Sequence, residues 1–370
     1  MRNLSNTIAR LAAFRATTPA VGVTANAPAL TELSDFGDNP GGLRAWSYVP
    51  AALRKKPSLV VVLHGCTQTA ADYNHGAGWS QLADEQGFVL LFPEQRRANN
   101  MNLCFNWYEP AHSRRDAGEP LSIRRMIEAM IARHNVDPSR VHITGLSAGG
   151  AMTSVMLATY PEIFAGGAII AGLPYGAATN VPEAFDRMRG HGCPDAAALA
   201  AAIRAASTYR GQWPSIAVWH GSADRTVAAS NAAAIVAQWR GVHGLPEQPD
   251  HEGAVDGHPH RVWRDPRGRP VIEHYEITDM GHGTPLATGG DDGCGASGAH
   301  MLEVGISSTR HIAASWGLAR GGIAAAILPG AVRTHREPVA GAARAKSAKP
   351  GLGGVGKVIE DALRAAGLMR

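Results

Sequence analysis

Val141-His142-Ile143-Thr144-Gly145-Leu146-Ser147-Ala148-Gly149-Gly150-Ala151-Met152 decides how the rest of this 370-residue chain is read. The β-branched run 141–144 has the character of a buried strand, and 148–160 has the small-residue periodicity of a helix. Between them, Gly145-Leu146-Ser147-Ala148-Gly149 fits G-x-S-x-G, a sharp strand-to-helix turn that lifts a serine hydroxyl above a sheet. Such a turn strains the serine, and a Cβ at either flanking glycine would collide with a neighbouring strand or helix. It also aims the free N–H groups of the helix start at the same point. In a chain with 43 glycines the pentapeptide alone is weak, and a plain glycine-rich turn is the bland reading. The strand before it and the helix after it give the pattern its meaning.

Outward from this turn, strand and helix patterns alternate. Residues 58–63 and 88–92 are continuous apolar runs, as strands buried on both faces of a mostly parallel sheet require. Residues 43–49 alternate as an antiparallel entry strand would, up to Pro50. Ile123, Met126, Ile127, Met130 and Ile131 give 122–134 helical spacing, and 167–171, 215–219 and 271–277 complete the strand set. Strands alternating with helices predict βαβ units. The fold class expected is α/β, of the α/β-hydrolase type: a mostly parallel, doubly wound sheet with a cap insertion at about 172–212. Residues 243–270, rich in His, Pro, Asp and Gly, predict a hairpin or surface loop. The expected organisation is an N-terminal helix and linker over 1–42, a catalytic domain over 43–320, and a basic Ala/Gly-rich tail over 321–370. That tail ends in a short amphipathic helix at 355–368, with Val358, Ile359, Leu363 and Leu368 on one face. It offers a contact to a granule or other apolar surface.

Composition sets limits. The chain is 45% hydrophobic and 18% charged, with a net charge of +4, enough apolar material for one large core. Lys and Arg are scattered with no basic stripe interleaved with aromatics, which argues against a nucleic-acid partner. No run of about 18 apolar residues predicts a transmembrane segment. Arg10 and Arg15 interrupt the N-terminal apolar stretch, so no signal peptide is visible, which points to the cytoplasm. Cys66, Cys104, Cys193 and Cys294 have no metal-ligand spacing, and neither a metal nor a cofactor is expected.

A serine hydroxyl needs a base to take its proton and a carboxylate to orient that base. On α/β-hydrolase sheets the three follow in the order Ser, Asp/Glu, His. The strand ending at Trp219 leads into His220-Gly221-Ser222-Ala223-Asp224, which puts Asp224 at the carboxyl edge where open α/β sheets bind ligands. After the last strand comes Asp279-Met280-Gly281-His282-Gly283. The glycines around His282 let it reach over the sheet as the base. Asp279 is the rival acid, and His220, His258 and His260 read as loop or surface residues. For the anionic transition state, one oxyanion donor is the N–H of Ala148. The other comes from the loop Leu63-His64-Gly65-Cys66-Thr67-Gln68, where Gly65 permits a sharp turn and Cys66 offers its N–H.

Taken with Cys104-Phe105-Asn106-Trp107 and Trp316-Gly317-Leu318, these motifs resemble the esterases of the polyhydroxybutyrate (PHB) depolymerase family, relatives of feruloyl and acetylxylan esterases. The resemblance spans roughly residues 40–318. It implies a triad of Ser147, Asp224 and His282, an oxyanion contribution from Cys66, a Cys66–Cys104 disulfide, and Trp107 at the mouth of the site as a substrate contact. Cys193 and Cys294 would be the residual pair. The family is mostly secreted, so the resemblance implies an extracellular location where the N-terminus implies a cytoplasmic one. The expected activity is hydrolysis of poly(3-hydroxybutyrate) or its oligomers through an acyl-enzyme at Ser147. A feruloyl or acetylxylan type of carboxylesterase is the alternative. A catalytically idle hydrolase fold that binds polymer granules and a peptidase are the other classes, and the intact triad argues against the first.

Overall fold

The structure, a computed structural model, describes residues 29–319; the expected helix over 1–20 and the tail with its helix at 355–368 lie outside the described residues. The sheet is built from β1 (Thr31–Glu32), β2 (Arg44–Tyr48), β3 (Leu59–Leu63), β4 (Val89–Glu94), β5 (Val141–Leu146), β6 (Gly166–Ile170), β7 (Ser215–Gly221), β8 (His251–Val255), β9 (His258–Arg264) and β10 (Pro270–Ile277). Among the described residues these form one ten-stranded sheet in the order β1-β2-β4-β3-β5-β6-β7-β10-β9-β8. From β4 to β10 every neighbouring pair is parallel, while β1 and β2 at one edge and β9 and β8 at the other pair antiparallel. This is the doubly wound α/β-hydrolase sheet the strand pattern predicts.

Both faces are covered, which is why the central strands are apolar at every position. Leu59, Val61 and Leu63 of β3 face a core shared with α3 (Gly118–His134), α4 (Ala148–Thr159), α6 (Ala196–Ala205) and α7 (Ser230–His243). Val60 and Val62 face the opposite core, closed by α1 (Ala70–Ala77), α2 (Trp79–Gln86) and α8 (Ser308–Ser315). The two-residue period of a strand thus splits one apolar run between two hydrophobic layers.

Two expectations change at the periphery: the cap, and the surface placement of His258 and His260. The 172–212 interval holds α5 (Val181–Met188) and α6, and the buried side of α6 (Leu199, Ala200 and Ile203) packs into the core beside α7. That part of the interval is the crossover helix of a βαβ unit and not a cap, because a parallel β6–β7 pair needs a helix to return the chain. Residues 251–264 form the hairpin β8–β9, which extends the sheet through β10 and buries His258 and His260.

The chain leaves β3 toward β4 and then returns to the other side of β3 to place β5, so the strand order reverses between β3 and β5. The carboxyl ends flanking such a reversal leave a crevice. Leu63 pairs beside Gly145, and the two strands end together at its floor. The turn there is as tight as expected. A Cβ on Gly145 would lie 2.4 Å from Gly149 O, and one on Gly149 would lie 2.4 Å from Leu63 O and 2.5 Å from His64 O. Backbone carbonyls cannot rotate out of the way as a side chain does. Gly149→Ala is therefore expected to cost about 3 kcal/mol or more and to lower the denaturant midpoint, read by circular dichroism. An unchanged midpoint would refute the contact.

Candidate active site

The turn places Ser147 at φ 57° and ψ −118°, a left-handed conformation costly for a residue with a Cβ. Its N–H donates to Ile170 O at 2.9 Å and its carbonyl accepts from Ala151 N–H at 2.8 Å, so the neighbouring strand and the first turn of α4 hold the strain in place. The Ser147 hydroxyl lies 2.9 Å from His282 Nε2, and His282 Nδ1 lies 2.7 Å from Asp224 Oδ2. A carboxylate only accepts, so Nδ1 carries the hydrogen and Nε2 is left free to take the serine proton.

Asp224 and His282 meet because β7 and β10 pair in parallel, with Gly221 beside Ile277. Ala223 N–H donates to Met280 O at 3.0 Å, and a Cβ on Gly221 would lie 2.2 Å from that same oxygen. Asp224 is buried, and its second oxygen accepts the N–H groups of Thr226 (2.8 Å) and Val227 (2.9 Å). Burial pushes this carboxyl up, but the hydrogen bond and charge of His282 and the Val227 N–H outweigh it and hold it below the usual range. Asp279, the rival acid, is exposed. His220 is the reverse of a surface residue: it is 1% exposed, with Nε2 2.8 Å from Val227 O and 3.5 Å from Asp224 Oδ2. Desolvation lowers its pKa, so it backs the acid as a neutral ring.

Across the crevice, the loop after β3 presents the amides read as oxyanion donors. Gly65 N–H donates to Gln68 Oε1 at 2.8 Å, Thr67 N–H to Asn102 O at 2.7 Å and Gln68 N–H to Gly65 O at 3.4 Å. Among the described residues, of the four amides from Gly65 to Gln68 only the Cys66 N–H has no acceptor in the protein. Ala148 opens α4, so its N–H belongs to the first four that a helix leaves unpaired. The Cys66–Cys104 disulfide is formed, with the Cα atoms 4.3 Å apart. Cys193 and Cys294 do not pair: Cys193 sits between α5 and α6, and Cys294 is buried with Sγ 3.6 Å from Gly78 O. Trp107 is only 7% exposed and packs edge-on against Tyr108, leaving it little surface for substrate.

Sequence reading missed His300, whose Nδ1 donates to the His282 carbonyl at 3.1 Å and whose ring meets that of His282 edge-on. Its only sequence signal was its distance after the base. His64 Nδ1 donates to Gly65 O at 2.7 Å and its Nε2 accepts from Gln95 N–H at 3.1 Å, so this buried ring is a neutral staple between the loops after β3 and β4. Among the described residues no cluster of three or more His, Cys, Asp or Glu could hold a metal ion, and no helix is long and apolar enough to cross a membrane.

The family model described as "Esterase PHB depolymerase" matches residues 44–258. The chain is 46% identical over 292 residues to poly(3-hydroxyalkanoate) depolymerase C of Paucimonas lemoignei, covering 78% of this chain and 70% of that one. It is 34% identical to acetylxylan esterase A of Emericella nidulans (63% of this chain, 80% of that one) and 30% identical to feruloyl esterase B of Talaromyces funiculosus (70% and 74%). Among solved structures, the acetyl xylan esterase of Aspergillus awamori superposes with a TM-score of 0.68 at 26% identity, over 79% of this chain and all of that one.

Ser147→Ala and His282→Ala should each remove nearly all turnover of a soluble ester, with the double variant little worse than either. Asp224→Asn should fold normally and lose about a thousandfold or more in kcat, because the amide favours the wrong imidazole tautomer. Asp279→Asn should keep wild-type kcat; a loss there with Asp224→Asn active would overturn the assignment.

Proposed function

We infer the function from one premise: the chain belongs to the PHB depolymerase family of esterases and is a carboxylic ester hydrolase of the serine type. We propose that Ser147 is the nucleophile, His282 the general base and Asp224 the residue that orients it, acting on ester bonds of a poly(3-hydroxyalkanoate) such as poly(3-hydroxybutyrate), or of its oligomers. The observation that carries this reading is the relay of 2.9 and 2.7 Å from Ser147 through His282 to Asp224. As Oγ attacks the ester carbonyl, His282 Nε2 takes the hydroxyl proton and Asp224 offsets the charge that forms on the ring. The former carbonyl oxygen becomes an anion between the N–H groups of Cys66 and Ala148, each donor contributing about 3–4 kcal/mol to the transition state. His282 then gives its proton to the leaving alcohol. Water, deprotonated by the same ring, releases the 3-hydroxyacyl group from Ser147.

The higher identity with the depolymerase than with either carbohydrate esterase supports the polyester end of the range. A hydrolysis panel tests it: kcat/KM on 3-hydroxybutyrate oligomers should exceed that on feruloyl and acetyl-xylan esters by about tenfold, a preference of 1.4 kcal/mol. The opposite ranking would assign the chain to the carbohydrate esterases. The tail is proposed to assist on solid substrate, since residues 331–370 carry eight Lys/Arg against three Asp/Glu beside the apolar positions of 355–368. Deleting 345–370 should leave the rate on a soluble ester unchanged and lower adsorption to polymer particles; equal adsorption would refute it.

A further inference from the structure

Behind the oxyanion loop lies a carboxylate that the reaction as described does not use. Glu119, in the first turn of α3, is fully buried. Its Oε1 accepts from Gln95 Nε2 at 2.7 Å, Asn106 Nδ2 at 2.8 Å and Asn106 N–H at 3.2 Å; its Oε2 accepts from the same N–H at 3.0 Å. These donors belong to the stretch that frames the oxyanion loop. Gln95 Nε2 also donates to Cys104 O at 3.1 Å, and Gln95 N–H donates to His64 Nε2 at 3.1 Å. Asn102 O accepts from Thr67 N–H at 2.7 Å, and Cys104 is bonded to Cys66. Residues 95–106 are thus tied to 64–67 by two hydrogen bonds and a disulfide, and are themselves gathered at Glu119.

We propose that Glu119 is a positioning residue for the oxyanion loop: as the shared acceptor for Gln95 and Asn106, its carboxylate fixes where the Cys66 N–H stands relative to Ser147. The inference rests on the esterase reading and on Cys66 as an oxyanion donor. The donor set explains why the residue must be an acid. Each group bonded to it offers an N–H, and only an ionised carboxyl accepts on both oxygens with nothing of its own to donate. An amide in the same volume would turn an NH2 toward another N–H.

Charge here comes at a cost to stability. Burial raises the Glu119 carboxyl from 4.5 to about 7, and its donors Asn106 and Gln95 only partly offset that. The start of α3 favours the anion, whereas Glu109, facing it from the 104–117 loop, raises it further. His112 Nδ1 lies 3.6 Å from Oε1 with no hydrogen-bond partner of its own among the described residues, and Tyr108 lies within the field of the carboxylate. From the other side it meets Gly41, which does not titrate. The sign follows from the raised value. Between 4.5 and about 7 the folded chain binds a proton that the unfolded chain does not, so this group makes folding more favourable as pH falls. Turnover should move the other way, because a proton on Glu119 meets a wall of N–H donors and loosens the loop.

The opposed trends separate positioning from structural support. On p-nitrophenyl butyrate, Glu119→Gln should lose about 10–100-fold in kcat, the scale of a misplaced catalytic group, with KM within about twofold of wild type. Its kcat–pH profile should lose the ionisation near 7. In the unaltered enzyme, kcat should fall by at least the same factor as pH drops through about 7 and Glu119 takes its proton. This second reading stands even if the variant does not fold. A folded Gln variant with wild-type kcat and pH profile, or a kcat in the unaltered enzyme that does not fall as pH drops through about 7, overturns the proposal. Ser147→Ala run alongside tests the esterase reading separately: ester hydrolysis surviving there counts against that reading and not against the role of Glu119.

Discussion

The parallel pairing of β3 with β5 is the constraint on which the rest of the site depends. It brings Leu63 beside Gly145, so the loop carrying Cys66 and the turn carrying Ser147 leave the sheet at adjacent points on one edge. The same geometry recurs where β7 pairs with β10, which delivers Asp224 and His282 to each other. Parallel strands end on a common edge, and a crevice opens where their order reverses. Groups that start more than a hundred residues apart converge there without any local sequence signal linking them. The cost is concentrated at Ser147, whose left-handed backbone stores about 1–3 kcal/mol of strain. It is held by the Ile170 and Ala151 hydrogen bonds and by glycines that admit Leu63 O and His64 O at close range.

Around this edge the fold treats its buried ionisable groups in two ways. Asp224 is paired with an imidazole and two backbone amides, which hold its charge despite burial. Glu119 meets only uncharged donors at hydrogen-bonding distance, and burial wins. The histidines divide similarly. Burial keeps His64 and His220 neutral, each with a hydrogen bond that fixes its tautomer. His282 alone among these three connects an acid to a hydroxyl. Fixed rings and dipoles around one movable proton are what a preorganised acyl-transfer site needs, because they do not reorganise as charge develops.

The outer strands serve a different purpose. Antiparallel β9 and β8 extend the sheet past β10 and bury His258 and His260, with His260 stacked on Tyr275 and bonded to Glu273 at 3.1 Å. Tyr275 stacks in turn on Trp219, near the end of the strand that delivers Asp224. The strand carrying the acid is therefore braced from its far side by a layer of rings. Of the hairpin and surface loop that the composition of this stretch allows, it forms the hairpin, and its histidines line a structural wall.

Much of this was legible in the residues themselves. Continuous apolar runs at 58–63 and 88–92 mark strands buried on both faces, because runs this short do not make a helix buried all round. Gly145, Gly149 and Ser147 mark the turn, because sterics at a strand-to-helix corner admit little else. The order of Ser147, Asp224 and His282 follows from strand ends read in sequence. The choice of Asp224 over Asp279 was less firm, since both lie just past a strand, and only register and burial separate them. Tertiary structure alone decided that 172–212 supplies a crossover helix, that His220 backs Asp224, that His300 reaches the His282 carbonyl, and that Glu119 gathers the segment bonded to the loop after β3. Periodicity and turn sterics act over a few residues and leave their mark in the sequence, whereas burial, charge and long-range pairing exist only once distant strands have set their register.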